Sequence, residues 1–221
     1  MKKKHLSSML ILTAAMLVAA YVVYEHRSDR AGYDPLDEYL ETEGIDVIER
    51  GEVSDLDSNE FERVNETGVK PGMLLKDVSL PTWEDDEREI SVADFRGEYV
   101  VLNIWASWCR YCRKEMPDFV QFQEDYGDEG VQVVGINRTF QEGSEENVDR
   151  FIEEFNINFP TLMEYSDQLS LDYQVIALPL TYILDPDGRI ITRTQGYMDY
   201  DMLEEFLEEA KYLYEESDDT A

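Results

Sequence analysis

The sequence predicts an α/β fold, a mixed central sheet flanked by helices with an extra strand pair ahead of it, and three observations carry that reading. Two near-continuous apolar, β-branched runs, "EYVVLNIWAS" and "VQVVGIN", have the character of strands buried on both faces. Each is followed by a helical stretch. Two further apolar runs in "LPLTYILDPDGRIITRTQG" flank Asp185-Pro186-Asp187-Gly188, a turn whose proline presets φ and whose glycine accepts φ > 0; they form an antiparallel hairpin. The order βαβαββα after a strand pair gives a sheet of mixed direction.

Taken from the N-terminus, Lys2, Lys3 and Lys4 precede an apolar run from Leu6 to Tyr24. Nineteen residues at about 1.5 Å rise per residue reach roughly 28 Å, close to the hydrocarbon thickness of a bilayer. Residues 1–24 are therefore expected to be a single-pass transmembrane helix, a signal-anchor, with the lysines cytoplasmic and the remainder outside the cell membrane. A cleaved signal peptide is the alternative, with Val18 and Ala20 as the small residues before the cut. Residues 25–68 are polar and acidic without a sustained period and read as a tether, with one short helix near Pro35 to Leu40. The folded domain is expected over 69–215, and 216–221 is an acidic tail.

Within that domain, "DVSLPTW" and "REISVADF" are the extra strand pair around the acidic turn Glu84 to Glu87. A helix runs through Cys112 to Tyr126. In Asn147 to Phe155 the apolar residues Val148, Phe151, Ile152 and Phe155 fall at i, i+3, i+4 and i+7, an amphipathic helix. A short helix is expected near Gln168 to Tyr173, and a last one from Asp199 to Tyr214, with Met202, Leu203, Phe206, Leu207, Ala210 and Leu213 on one face.

Charge narrows the partners. The chain has 50 acidic and 19 basic residues and a formal charge of −31. Such a surface repels nucleic acid and anionic lipid, and it suits a salt-rich external medium that screens its self-repulsion. Beyond the membrane segment the expected surroundings are oxidising, which matters because the chain has two cysteines and both lie in "WASWCRYCRKEMP".

Cys109 directly follows a buried strand and opens a helix. Backbone N–H groups there lack intrahelical partners and the helix dipole is positive, so a thiolate is stabilised and Cys109 is the expected nucleophile. Cys112, one turn later and deeper, can attack Cys109 to resolve a mixed disulfide. Zinc needs three or four ligands, and the two histidines, His5 and His26, lie in or beside the membrane segment. A structural disulfide gains stability by closing a long loop, which a three-residue spacing does not do. A reversible redox pair is the reading that remains.

"VVLNIWASWCRYC", Pro117 and "ALPLTYILDPDGRI" resemble the thioredoxin superfamily, and the anchor, the extra strand pair and "CRKEMP" resemble the membrane-anchored ResA/TlpA-type thiol-disulfide oxidoreductases of cytochrome c maturation. The resemblance spans about residues 69–215 and implies a thioredoxin-like fold. It implies that Pro179 is a cis-proline facing the disulfide, that Leu178 offers backbone groups to a substrate strand, and that Glu115 handles protons for the cysteine pair. A carboxylate there would raise both thiol pKa values and relay a proton to a leaving thiol. Asn103 stands where thioredoxins usually carry a buried aspartate, which shifts the acid and base burden to Glu115. Trp108 is the candidate substrate contact, while Trp105 belongs to the core and Tyr111 faces outward.

Arg110, Arg113 and Lys114 are expected to hold positive potential over the site of a negative molecule. Peroxidase chemistry is disfavoured, because peroxiredoxins place Pro and Thr or Ser seven and three residues before the nucleophile, where this chain has Leu102 and Ala106. The expected activity is thiol-disulfide exchange with no metal or organic cofactor. By resemblance the partner is an exported disulfide substrate, the oxidised haem-binding pair of an apocytochrome c, with electrons from a membrane thiol donor. A disulfide oxidase, a reductase of another exported client such as one of the spore envelope, and a redox-silent peptide-binding module are the alternatives.

Overall fold

The computed structural model describes residues 61–218, all within one compact unit. The expected span 1–24, most of the tether with its helix near Pro35, and the last three residues of the tail lie outside them. Among the described residues no helix is long and apolar enough to cross a membrane.

The core is a five-stranded sheet. β5 (Tyr99–Trp105) and β6 (Val131–Asn137) are parallel, and both coincide with the two apolar runs. β8 (Leu180–Leu184) and β9 (Ile190–Gln195) form the expected hairpin, and β8 pairs antiparallel with β5. In its turn Gly188 has φ +79° and donates to the Asp185 carbonyl, while the Asp185 carboxylate accepts from the N–H groups of Asp187 and Arg189. β7 (Thr161–Met163) was not foreseen; it pairs parallel with β6 and completes the order β7-β6-β5-β8-β9. Three residues after Pro160 are too few for a period to show, and pairing alone makes them a strand.

Helices cover both faces. α1 (Arg110–Tyr126), α2 (Glu145–Phe155) and α4 (Tyr200–Asp218) pack on the face carrying Val101 and Trp105, where Trp105 stacks on Phe151 at 4.4 Å. The short α3 (Gln168–Asp172) and the N-terminal strands cover the other face, with Leu102, Ile104, Tyr173 and Tyr182. The alternation along β5 thus splits one apolar run between two cores.

The extra pair is β3 (Ser79–Pro81) with β4 (Glu89–Ser91), antiparallel. The second half of "REISVADF" departs from the predicted strand. Val92–Phe95 is a 3-10 turn, because Ser91 and Asp94 close a capping box that satisfies the turn's first N–H groups.

The ordered contacts also begin ahead of residue 69. β1 (Thr67–Gly68) pairs with β2 (Leu74–Leu75), and Arg63 makes a 2.9 Å salt bridge to Asp185. Arg189, nearly buried, donates to the carbonyls of Val64 and Gly72 at 2.7 Å each and to Asn65 Oδ1. A polar, aperiodic stretch reads as tether, yet its backbone carbonyls serve as acceptors for a buried arginine far along the chain.

Candidate active site

β5 delivers the chain to the site. After Trp105, residues Ala106 to Trp108 turn the backbone so that Cys109 becomes the N-cap of α1. The Cys112 N–H donates to Cys109 Sγ at 3.1 Å, the arrangement that stabilises a thiolate at a helix start. The two sulfurs are bonded to each other, with Cα atoms 5.3 Å apart. Cys109 is 6% exposed and Cys112 fully buried, so an approaching client sulfur meets Cys109 first.

The turn is held from a loop that sequence reading did not single out. The Glu142 carboxylate accepts from the Ser107 N–H at 2.7 Å and from the Ser107 hydroxyl, and it also accepts from Asn137 Nδ2 at 2.9 Å. Trp108 Nε1 donates to the Gln141 carbonyl, leaving the indole 57% exposed beside Cys109. Glu142 looks like any other surface glutamate in so acidic a chain, and only the fold brings it to Ser107.

Glu115 lies on the buried stripe of α1 with Cys112, Met116, Phe119 and Phe122. That is a carboxylate in an apolar position. Asn103 Nδ2 donates to Glu115 Oε1 at 2.9 Å, and the Met198 N–H donates to Oε2 at 3.1 Å. Burial pushes the Glu115 carboxyl up to about 8, against the lowering effect of those two donors. It therefore holds its proton at neutral pH, one helical turn from Cys112. Thr181, on β8 opposite Asn103, accepts from the same Nδ2 at 3.1 Å; neither Thr181 nor Met198 carried a signal in the sequence.

The peptide bond Leu178-Pro179 is cis. Pro179 is buried and leads straight into β8; its carbonyl accepts from Gly196, and it has no N–H to offer the sulfurs. Leu178 is half-buried, and Ile176 just before it is 83% exposed.

The basic residues Arg113 and Lys114 have contacts of their own. Arg113 forms an ion pair with Glu154 and lies over the rings of Phe151 and Phe155, and Lys114 Nζ sits 4.0 Å from the centre of the Tyr197 ring. Helical geometry turns position 113 toward α2 and position 114 toward the segment before α4. Arg110 and Tyr111 are exposed at the first turn. Ala106 is buried and carries no hydroxyl toward Cys109, as a peroxide-cleaving site would need.

Comparison with known proteins agrees with this chemistry. Residues 71–193 match the AhpC/TSA family. The chain is 38% identical over 125 residues to the thioredoxin-like protein YneN of Bacillus subtilis, covering 57% of this chain and 71% of that one. It is 32% identical over 151 residues to the thiol-disulfide oxidoreductase ResA of Oceanobacillus iheyensis, covering 68% and 74%. Among solved structures, a putative thiol:disulfide interchange protein DsbE from Chlorobium tepidum superposes with a TM-score of 0.56 at 26% identity, over 62% of this chain and 94% of that one. A helix-capping cysteine bonded to a buried partner, on this fold and with these relatives, leads to one conclusion: the chain belongs to the thioredoxin-like AhpC/TSA family and is a thiol-disulfide oxidoreductase.

Proposed function

We propose that this protein is a reductase of exported protein disulfides, held at the outer side of the cell membrane by residues 1–24, with the oxidised haem-binding cysteine pair of an apocytochrome c as its client. The observation that carries the direction is the burial of Glu115 one turn from Cys112. Once that carboxyl gives up its proton, its charge disfavours thiolate on both sulfurs, which destabilises the ionised reduced pair and makes it the stronger electron donor. The pairing of Arg113 with Glu154 offsets one cation that would have pulled the couple the other way. Similarity to relatives named thiol-disulfide oxidoreductase ResA supports the exchange chemistry, and the resemblance of the sequence to the oxidoreductases of cytochrome c maturation suggests the client.

In this reading the Cys109 thiolate attacks one client sulfur, the client disulfide breaks, and the departing thiolate is protonated. Cys112 then gives up its proton, with Glu115 as the local acid and base, and attacks Cys109; the second client thiol leaves and the protein disulfide forms. Two electrons pass to the client and a membrane thiol donor restores them. No metal or organic cofactor enters these steps. Trp108, Leu178 and Pro179 line the approach to Cys109 and seat the client.

Two measurements test this. The midpoint potential, set against glutathione and dithiothreitol buffers, is expected near thioredoxin's value of about −270 mV; a value near about −120 mV would make the protein an oxidase instead. Cys112→Ala should trap clients as mixed disulfides on Cys109. Recovery of exported proteins without haem-binding cysteines would replace the client while leaving the chemistry in place.

A further inference from the structure

Asn103 offers more than a passive contact. Its Nδ2 donates to both Glu115 Oε1 and Thr181 Oγ1, while its Oδ1 is buried without a hydrogen-bond partner. All three side chains are buried, Asn103 at 1% and the other two at 0% exposure. This geometry serves an ionised Glu115, which accepts only. A protonated Glu115 carries an O–H that needs an acceptor, and Nδ2 is a donor. Rotating the amide by about 180° exchanges the two ends in place, since nitrogen and oxygen of an amide have nearly the same size and branching. Oδ1 then accepts from Glu115 and from the Thr181 hydroxyl, which can donate as well as accept.

In the present position Oδ1 is the atom left over; in the rotated one it is Nδ2. Each arrangement leaves an amide end unsatisfied, so burial cost does not lock either in place. What decides between them is the hydrogen that Glu115 does or does not carry.

We propose that the Asn103 side-chain amide is a two-position partner of Glu115, presenting Nδ2 to the carboxylate and Oδ1 to the carboxylic acid, with the Thr181 hydroxyl reversing between acceptor and donor. Asn103 is thereby a positioning residue that keeps Glu115 hydrogen-bonded through both halves of a proton transfer. The inference rests on Glu115 handling protons, as proposed above, but not on the client or the direction of electron flow. The groups bearing on Glu115 are few. From its own helix they are the Cys112 thiol when reduced and Asp118; from the segment before α4 they are Tyr197 and the Met198 N–H; β5 and β8 contribute the neutral Asn103 and Thr181. None of the others can switch between donating and accepting at Glu115 Oε1.

The test uses the full-length oxidised protein in detergent micelles, with carbon-13 in glutamate carboxyls and nitrogen-15 in asparagine side chains, followed by NMR from pH 5 to 10. The Glu115 carboxyl and the Asn103 amide are expected to move together with one midpoint, and in Glu115→Gln the Asn103 amide should be fixed across the range. Asn103→Leu should raise the Glu115 midpoint by about one pH unit or more, because the lost bond to the charged form is the stronger of the two. An Asn103 amide that stays still while Glu115 titrates overturns this inference alone. So does an Asn103→Leu midpoint equal to the wild type's. A Glu115 carboxyl that does not titrate in that range overturns the proton-handling reading as well. The wild-type measurement decides the matter even if Asn103→Leu fails to fold.

Discussion

Glu142 grips Ser107 by both its backbone N–H and its hydroxyl, across 35 residues of sequence, and so fixes the turn that carries Trp108 and Cys109. Replacing Glu142 by Ala removes three hydrogen bonds to one carboxylate and leaves the buried Asn137 amide short of a partner. A loss of about 2–4 kcal/mol is expected in urea denaturation of the oxidised protein. The rate of disulfide exchange should fall as well, because Cys109 loses its fixed approach. An exchange rate equal to the wild type's would show that the turn holds itself.

The raised Glu115 carboxyl makes stability depend on pH with a definite sign. Below about pH 4.5 both folded and unfolded chains hold the proton and Glu115 contributes nothing. Between 4.5 and about 8 the unfolded chain releases it while the folded chain keeps it, so the oxidised protein loses about 1.4 kcal/mol of stability per pH unit, levelling off above 8. Glu115→Gln should flatten that slope. Denaturant titrations of both proteins at pH 5 and 8 check it, and parallel pH dependence in the two would place the titration elsewhere.

Arg113 is the control on the charge argument. Its pair with Glu154 is exposed, at 39% and 53% of the two side chains, so Arg113→Ala should cost less than about 1 kcal/mol. The midpoint potential should shift by less than about 15 mV. A larger shift toward reducing values would mean that this cation does act on the sulfurs.

Arg189→Met addresses the N-terminal contacts. Three acceptors on residues 64, 65 and 72 lose a buried donor, and a cost of about 3–5 kcal/mol is expected in denaturation. Limited proteolysis should then cut within 61–75 far faster than in the wild type. Unchanged protection there would show that β1 and β2 hold without it.

How much of this was legible in the sequence follows from the range of the interactions involved. β5, β6, the hairpin and the helices announce themselves because their periodicity and turn chemistry are local. Cys109 and Cys112 were readable for the same reason: a strand end, a helix start and a spacing of three. Glu115 could be placed on the face of Cys112 from spacing, but its burial could not, since a glutamate in a chain with 50 acidic residues gives no sign of facing inward. β7 and the short β1 and β2 exist only by pairing. Glu142 with Ser107, Thr181 with Asn103, and Arg189 with Val64 are joined by the fold across long sequence separations, and no pattern in the chain points from one to the other. The partners of Arg113 and Lys114 were hidden likewise, so a basic cluster in the sequence became two separate surface contacts in three dimensions.

The Arg63 to Asp185 bridge and the carbonyls gripped by Arg189 lie where β5 begins, whereas Cys109 lies past where it ends. Seven residues of strand, about 23 Å, separate the two poles. The chain therefore enters the domain at its base and the sulfurs crown the far side. A pull on the entering segment is borne by an arginine and a hairpin turn, and the exchange of electrons goes on at the end that is left free to meet other molecules.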